Sequence, residues 1–181
     1  MQLEDVAQVT MIDRMSFSMP WPESAFRYEL VNNPSSLLWV AEVEQPEGRR
    51  VVGSIVVWMI LDEAHIATLA VHPDYRRLGI SKQLLAVALI QAIQQGAVQA
   101  TLEVRANNLA AQALYRRFHF EVVGRRPRYY RDNNEDAIIM TVRLDQPVAP
   151  GLSYLEWLKS GKYAEPSVHP ASGGSYSGGA S

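Results

Sequence analysis

The chain contains no cysteine. That excludes disulfides, thiolate metal sites and any reaction through an acyl-cysteine intermediate. It also fits a reducing compartment. No apolar run is long enough to span a bilayer, so no membrane partner is expected. The start carries Glu4 and Asp5 and lacks the basic-then-apolar order of a signal peptide. A cytoplasmic protein is the expectation. A strong charge imbalance is also lacking: the net charge of −2 gives no overall footprint for nucleic acid. Aromatic and basic residues interleave on no strand, so no nucleic-acid partner is expected. His65, His72, His119 and His169 show no ligand spacing and read as surface or structural, so no metal is expected.

What is present suits one soluble domain. The 181 residues are 48% hydrophobic and 20% charged, enough for an ordinary core. Val6, Val9, Ile12 and Met15 sit at helical spacing within Leu3 to Phe17. Prolines 20 and 22 break that helix, and a second is predicted over 22–31. Strands are predicted over 37–43, 51–61 and 64–71, with turns at 45–50 and 62–63. A helix over 80–95 ends at Gly96 as a C-cap. A strand over 97–104 and a helix over 108–117, capped by Asn107 or Asn108, follow. Val122-Val123 and 137–144 read as the last strands. The class is α/β in mixed order. From about residue 145 the character changes, which divides a catalytic-type domain, 1–145, from an extension, 146–181. Pro147 to Gly151 breaks regular structure, a short helix fits around 154–158, and 164–181 is compositionally disordered. The extension, Trp157 included, reads as a tail that packs loosely.

The most informative stretch is residues 71–82, Val-His-Pro-Asp-Tyr-Arg-Arg-Leu-Gly-Ile-Ser-Lys. A strand ends, a basic loop follows and a helix opens. Such a loop aims backbone N–H groups and the positive helix end at one spot. Arg76, Arg77 and Lys82 add charge, and Gly79 lets the backbone approach a ligand closely. Walker spacing is absent, and a Rossmann fingerprint needs three glycines where one is present. The loop reads as a phosphate or pyrophosphate seat, set against an ordinary basic connection.

Two polar residues follow. Glu103 ends an apolar strand, and Tyr115 sits in the next helix. In open α/β sheets, ligands gather at the carboxyl ends of strands, so Glu103 can share the loop's cleft. Taken alone, Glu103 also reads as a carboxylate paired with Arg105 or solvent, and Tyr115 as a half-buried core tyrosine.

Strand, Arg-Arg-x-Gly-x-Ser, helix, Leu102-Glu103-Val104-Arg105, Asn-Asn-x-Ala-Ala and Ala-Leu-Tyr-x-x-Phe-x-Phe together resemble the GNAT N-acetyltransferases over about residues 3–144. Phe17 to Trp21, Arg128-Tyr129-Tyr130 and Glu135 to Met140 are similar to the RimI branch, which acetylates the N-terminal alanine of ribosomal protein S18. The resemblance implies a GNAT fold: a mixed, mostly antiparallel central sheet flanked by about four helices, here without the family's first edge strand. It implies acetyl-CoA as co-substrate and no metal. Leu69, Ala70 and Val71 would hold the pantetheine arm, and Arg76 to Lys82, with Leu78, Gly79, Ile80 and Ser81 between, the pyrophosphate. Asn108 would contact the cofactor, Glu103 would be the general base and Tyr115 the general acid. Pro20, Trp21, Tyr129 and Tyr130 would flank the peptide groove, with Glu23 or Glu29 attracting a basic peptide.

The implied chemistry is consistent with the residue types. An α-ammonium group, with a reference pKa of about 8, must lose a proton before it attacks a thioester. A carboxylate can take that proton, and a phenol can protonate the departing thiolate. Direct attack in a ternary complex fits the missing cysteine. The sequence departs from the family at Ser81, where Gly or Ala is usual, and at His119, where Gly is common and positive φ would be strained. The same fold would also suit another protein N-terminus, a lysine side chain or a small-molecule amine. A non-catalytic acetyl-CoA sensor is disfavoured by the intact Glu103 and Tyr115.

Overall fold

The computed structural model describes residues 1–164. The expected disorder of residues 165–181, and His169 with it, lies outside the described residues. Helices α1 (Val6–Ser16) and α2 (Glu23–Val31) lead into strands β1 (Ser36–Gln45), β2 (Gly48–Ile60) and β3 (Glu63–Val71). Helix α3 (Ile80–Gln94), β4 (Gln99–Arg105), α4 (Leu109–Arg117), β5 (Glu121–Tyr130) and β6 (Glu135–Arg143) follow. A short pair, β7 (Pro147–Ala149) and β8 (Leu152–Ser153), precedes α5 (Tyr154–Lys159).

Six strands form one sheet in the order β1-β2-β3-β4-β6-β5. Short hairpins make β1/β2, β2/β3 and β5/β6 antiparallel. The α3 crossover makes β3 and β4 parallel, as a helical connection requires. Among the described residues no strand precedes α1, and β1 forms one sheet edge. The Met1 ammonium reaches that strand at the Leu38 carbonyl, 3.3 Å away.

Two cores flank the sheet. On one side α1 and α2 bring Val6, Val9, Ile12 and Phe26 against Val51, Val56 and Ala70. On the other, α3, α4 and α5 pack Leu85, Leu89, Phe118 and Tyr154 against Ile55, Leu102 and Met140. Strand β2 is therefore buried on both faces through its middle. At Gly53 an added Cβ would stand 3.1 Å from both the Ala70 carbonyl and Leu84 Cδ1, a tight fit where α3 crosses β2.

Three expectations need correction. Strand β2 starts at Gly48, because the turn before it is only Pro46-Glu47. Strand β5 runs from Glu121 to Tyr130, far beyond Val122-Val123. It is an edge strand exposed along nearly its whole length, so it carries no alternation to read, and its Pro127 falls in a register shift where a missing N–H does no harm. Finally, the segment after Asp145 is no loose tail. Tyr154, Trp157 and Leu158 join the main core. The Tyr154 hydroxyl donates to the Phe118 carbonyl at 2.6 Å. His119, at φ 60, lays its ring 4.7 Å from that of Trp157.

This packing yields two predictions. Tyr154→Phe strands a buried carbonyl and should cost about 1–3 kcal/mol, and Leu158→Ala about 2–5 kcal/mol, both read from urea midpoints. Burial also holds the His119 imidazole below its ordinary 6.5. The unfolded chain then binds the extra proton more readily, so stability is lost as pH falls through 6.5. Relative to His119→Asn, which tolerates the left-handed backbone, the wild type should lose stability on going from pH 7.5 to pH 5.5; parallel curves would contradict this.

Candidate active site

The site begins where the parallel ladder fails. Strands β3 and β4 pair only from Glu63/Gln99 to Ile66/Leu102. Beyond that point β3 carries an extra residue: Val57 faces Ile66, yet Val56 faces Thr68, which leaves Ala67 as a bulge. The two carboxyl ends part and open a cleft of about 660 Å³. Thr68 and Leu69 line it from β3, Glu103 and Arg105 from β4, and Asn108, Ala111 and Tyr115 from the following turn and helix. Asn108 itself caps α4, its side chain accepting from the Ala111 N–H at 3.1 Å.

The basic loop leaves the end of β3 and lies outside this cleft's walls. Arg76 Nε bonds the Val71 carbonyl at 3.1 Å, which folds the loop back on its own strand. Arg77 (φ 67) and Gly79 (φ 84) both take left-handed backbone, and the turn delivers the chain into α3. The amides of Lys82 and Gln83 close onto the Gly79 carbonyl, at 3.0 and 3.2 Å. A Cβ on Gly79 would meet only Lys82 Cε at 3.8 Å, so its backbone conformation, not space, calls for glycine. Arg77 is exposed at the point where α3 opens. Lys82 Nζ lies 3.3 Å from the Ala164 carbonyl.

Glu103 is 12% exposed and does not pair with Arg105. One oxygen stands 3.3 Å from His65 Nε2 and the other 3.2 Å from Arg126 Nη2. Arg105 turns elsewhere. It pairs with Asp132 at 2.8 Å and Glu135 at 3.1 Å, donates to Ser18, and lies 3.9 Å over the Tyr130 ring. Burial pushes the Tyr130 phenol up to about 12, against the pull of Arg105. Tyr115, packed on Phe120 and 8% exposed, is also held by burial above the ordinary 10. Both phenols therefore remain protonated at neutral pH.

A column of rings ties the entrance to Glu103. Phe26, Trp21, Trp58 and His65 follow one another at centroid distances of 5.4, 5.8 and 5.7 Å. Trp58 and His65 lie nearly parallel, at 13°, as cross-strand neighbours. Trp58 donates to Glu29 at 3.0 Å. Asp13 in α1 accepts the Trp21 N–H at 2.7 Å and the Thr68 hydroxyl at 3.4 Å, locking the α1–α2 loop to β3. Burial raises the Asp13 carboxyl above 3.8, and these two hydrogen bonds oppose the rise.

The sequence-predicted groove residues divide. Trp21, Tyr129 and Tyr130 line the cleft with Phe17 and Met19, whereas Pro20 is not among its walls. Glu23 pairs with Arg27 on the surface, and Glu29 is buried under Trp58, so neither faces the groove. The acids that do are Asp132 and Glu135, beside Glu103 itself. Sequence reasoning missed His65, Trp58, Arg126 and Asp13. Counting strand residues outward from the Leu61-Asp62 turn would have set Trp58 opposite His65, and the parallel crossover would have set His65 beside β4. Nothing local pointed to Arg126, which reaches Glu103 from the unread edge strand.

Comparison with known proteins agrees with this geometry. The Acetyltransferase (GNAT) family matches residues 6–120. A [ribosomal protein bS18]-alanine N-acetyltransferase of Escherichia coli is 31% identical over 144 residues, covering 78% of this chain and 93% of that protein. An N-alpha-acetyltransferase RimI of Mycobacterium tuberculosis is 35% identical over 129 residues, 67% of this chain and 74% of its own. The crystal structure of the ribosomal-protein-S18-alanine N-acetyltransferase from Escherichia coli superposes with a TM-score of 0.70 at 29% identity, covering 84% of this chain and 95% of that one. With its six-stranded sheet split at the β3–β4 seam and a family match over most of its length, the chain belongs to the GNAT acetyltransferase family.

Proposed function

We propose that the protein is an acetyl-CoA-dependent N-terminal acetyltransferase whose acceptor is the N-terminal alanine of ribosomal protein S18. The observation that carries this reading is the convergence of Glu103 and Tyr115 on one cleft at the split seam, with the basic loop following the carboxyl end of β3. The acceptor is drawn from the relatives, which cover nearly the whole catalytic region.

The residues present fit acetyl-CoA. Left-handed Arg77 and Gly79 turn the loop into α3, where the first amides of the helix, at Ile80 and Ser81, would hold the pyrophosphate with Arg77 and Lys82. Leu69, Ala70 and Val71 supply backbone groups along the parted side of β3 for the pantetheine arm, and Asn108 sits at the mouth of α4. When bound, acetyl-CoA supplies the activated acetyl thioester. Glu103 takes a proton from the acceptor's α-ammonium, directly or through a water, and frees the lone pair for attack. Tyr115, kept as a phenol by burial, protonates or hydrogen-bonds the departing sulfur. Trp21, Tyr129 and Tyr130 wall the entrance against which the first peptide residues lie, and Asp132 and Glu135 add acceptors there. Holding amine and thioester together supplies much of the rate.

Glu103→Gln and Tyr115→Phe should each lower kcat by about 10²-fold or more while acetyl-CoA binding by calorimetry stays within a few fold. Near-normal turnover in both variants would remove the assigned mechanism. Mass spectrometry after incubation with acetyl-CoA and an N-terminal peptide library should show acetylation at α-amines, with Ala-Arg starts preferred. Modification confined to lysine side chains would overturn the N-terminal reading.

A further inference from the structure

We infer that His65 serves as the proton-relay partner of Glu103: the substrate's proton passes through the carboxylate to the imidazole and leaves from there to solvent. This rests on the acetyltransferase reading above and goes beyond it, because a base assigned to Glu103 alone leaves the captured proton beside the reacting amine.

The geometry separates the two partners of Glu103. His65 stands 3.3 Å from one oxygen and is fixed. It lies mid-strand in β3, its ring stacks on Trp58, and Trp58 is itself stacked on Trp21 and bonded to Glu29. Arg126 holds the other oxygen at 3.2 Å but is 54% exposed, on an edge strand, with its guanidinium 5.5 Å from the Tyr129 ring. An arriving ammonium is also a cation and can replace Arg126 at that oxygen without a change of charge. It cannot replace His65 without breaking the ring stack. Proton entry is therefore assigned to the Arg126 side and proton exit to the His65 side. His65 lines the cleft and keeps 21% of its side chain exposed, enough to pass the proton to water.

The step balances as follows. An N–H bond of the ammonium breaks as an O–H bond forms on Glu103. With the ring as its Nδ1–H tautomer, that proton moves on to Nε2, leaving imidazolium beside a restored carboxylate. Imidazolium then gives one proton to water, and the pair returns to its starting state. Imidazole suits the task because its ordinary titration range lies between those of a carboxylate and an α-amine. The other polar groups at this spot have different work: Arg105 is held by Asp132 and Glu135, and Tyr115 and Tyr130 remain phenols.

The test uses the full chain, acetyl-CoA and an Ala-Arg peptide. His65→Gln keeps a hydrogen-bonding side chain but cannot carry the proton; His65→Ala leaves room for added imidazole. Both should lose about tenfold or more in kcat, with KM for acetyl-CoA within about twofold. Imidazole should restore His65→Ala by several fold and leave His65→Gln unchanged. The inference is overturned if both variants turn over at the wild-type rate, or if the loss in His65→Ala is untouched by imidazole. A wild-type protein that binds acetyl-CoA yet acetylates no amine would instead refute the acetyltransferase reading, and the relay with it.

Discussion

The constraint on which the site depends is the failure of one parallel ladder. Strands β3 and β4 are held together by a helical crossover and pair for only four residues each. The Ala67 bulge then swings β3 away while β4 stays paired with β6 along its whole length. A parted seam leaves backbone groups without strand partners, which is tolerable only where a ligand or water completes them. The same parting opens the cleft that Glu103 lines. The loop and α3 begin at the end of the diverging strand, so one bulge sets the relation between the basic loop and Glu103.

A cleft opened this way needs its rim fixed, and two polar networks do that. Asp13 binds the α1–α2 loop to β3 from the buried side. Arg105 binds β4 to the β5–β6 turn and to Ser18 of the α1–α2 loop. Each network crosses the cleft's border through a charged group, and charge-assisted hydrogen bonds hold geometry more firmly than neutral ones. The ring column from Phe26 to His65 then carries the position of the entrance loop to the neighbourhood of Glu103.

How much of this was legible follows from where each signal resides. Helices α1 to α4 and strands β1, β3, β4 and β6 were readable because each buries a regular face. The loop, Glu103 and Tyr115 stood out because their spacing is local and resembles a known pattern. Strand β5 was not, since an exposed edge has no alternation. Helix α5 was expected around 154–158, but its docking into the core was not, although Ser153 and Glu156 form a capping box that the Ser-Tyr-Leu-Glu spacing spells out. His119 had been a departure from the family without a reason; in the structure its ring fills the space beside Trp157, so that position and the added helix explain each other. Glu103 on β4 and its two partners, His65 on β3 and Arg126 on β5, lie on three different strands, and no single stretch of sequence contains them.

The charge arrangement around Glu103 has a further consequence. A carboxylate meant to receive a cation must be kept from collapsing onto the nearest permanent one. Arg105, two residues along the same strand, is that nearest cation in sequence, yet it is engaged by two carboxylates and a ring. Had Asp132 and Glu135 been absent, Arg105 would have been free to compete for Glu103 with a partner that shares its strand and loses little entropy on pairing. The pair actually made, with Arg126, crosses to an exposed edge strand, where solvent screening keeps an ion pair weak. The cleft's acids thus act on Glu103 indirectly: by occupying Arg105 they leave it with one fixed neighbour, His65, and one partner on an exposed edge, Arg126.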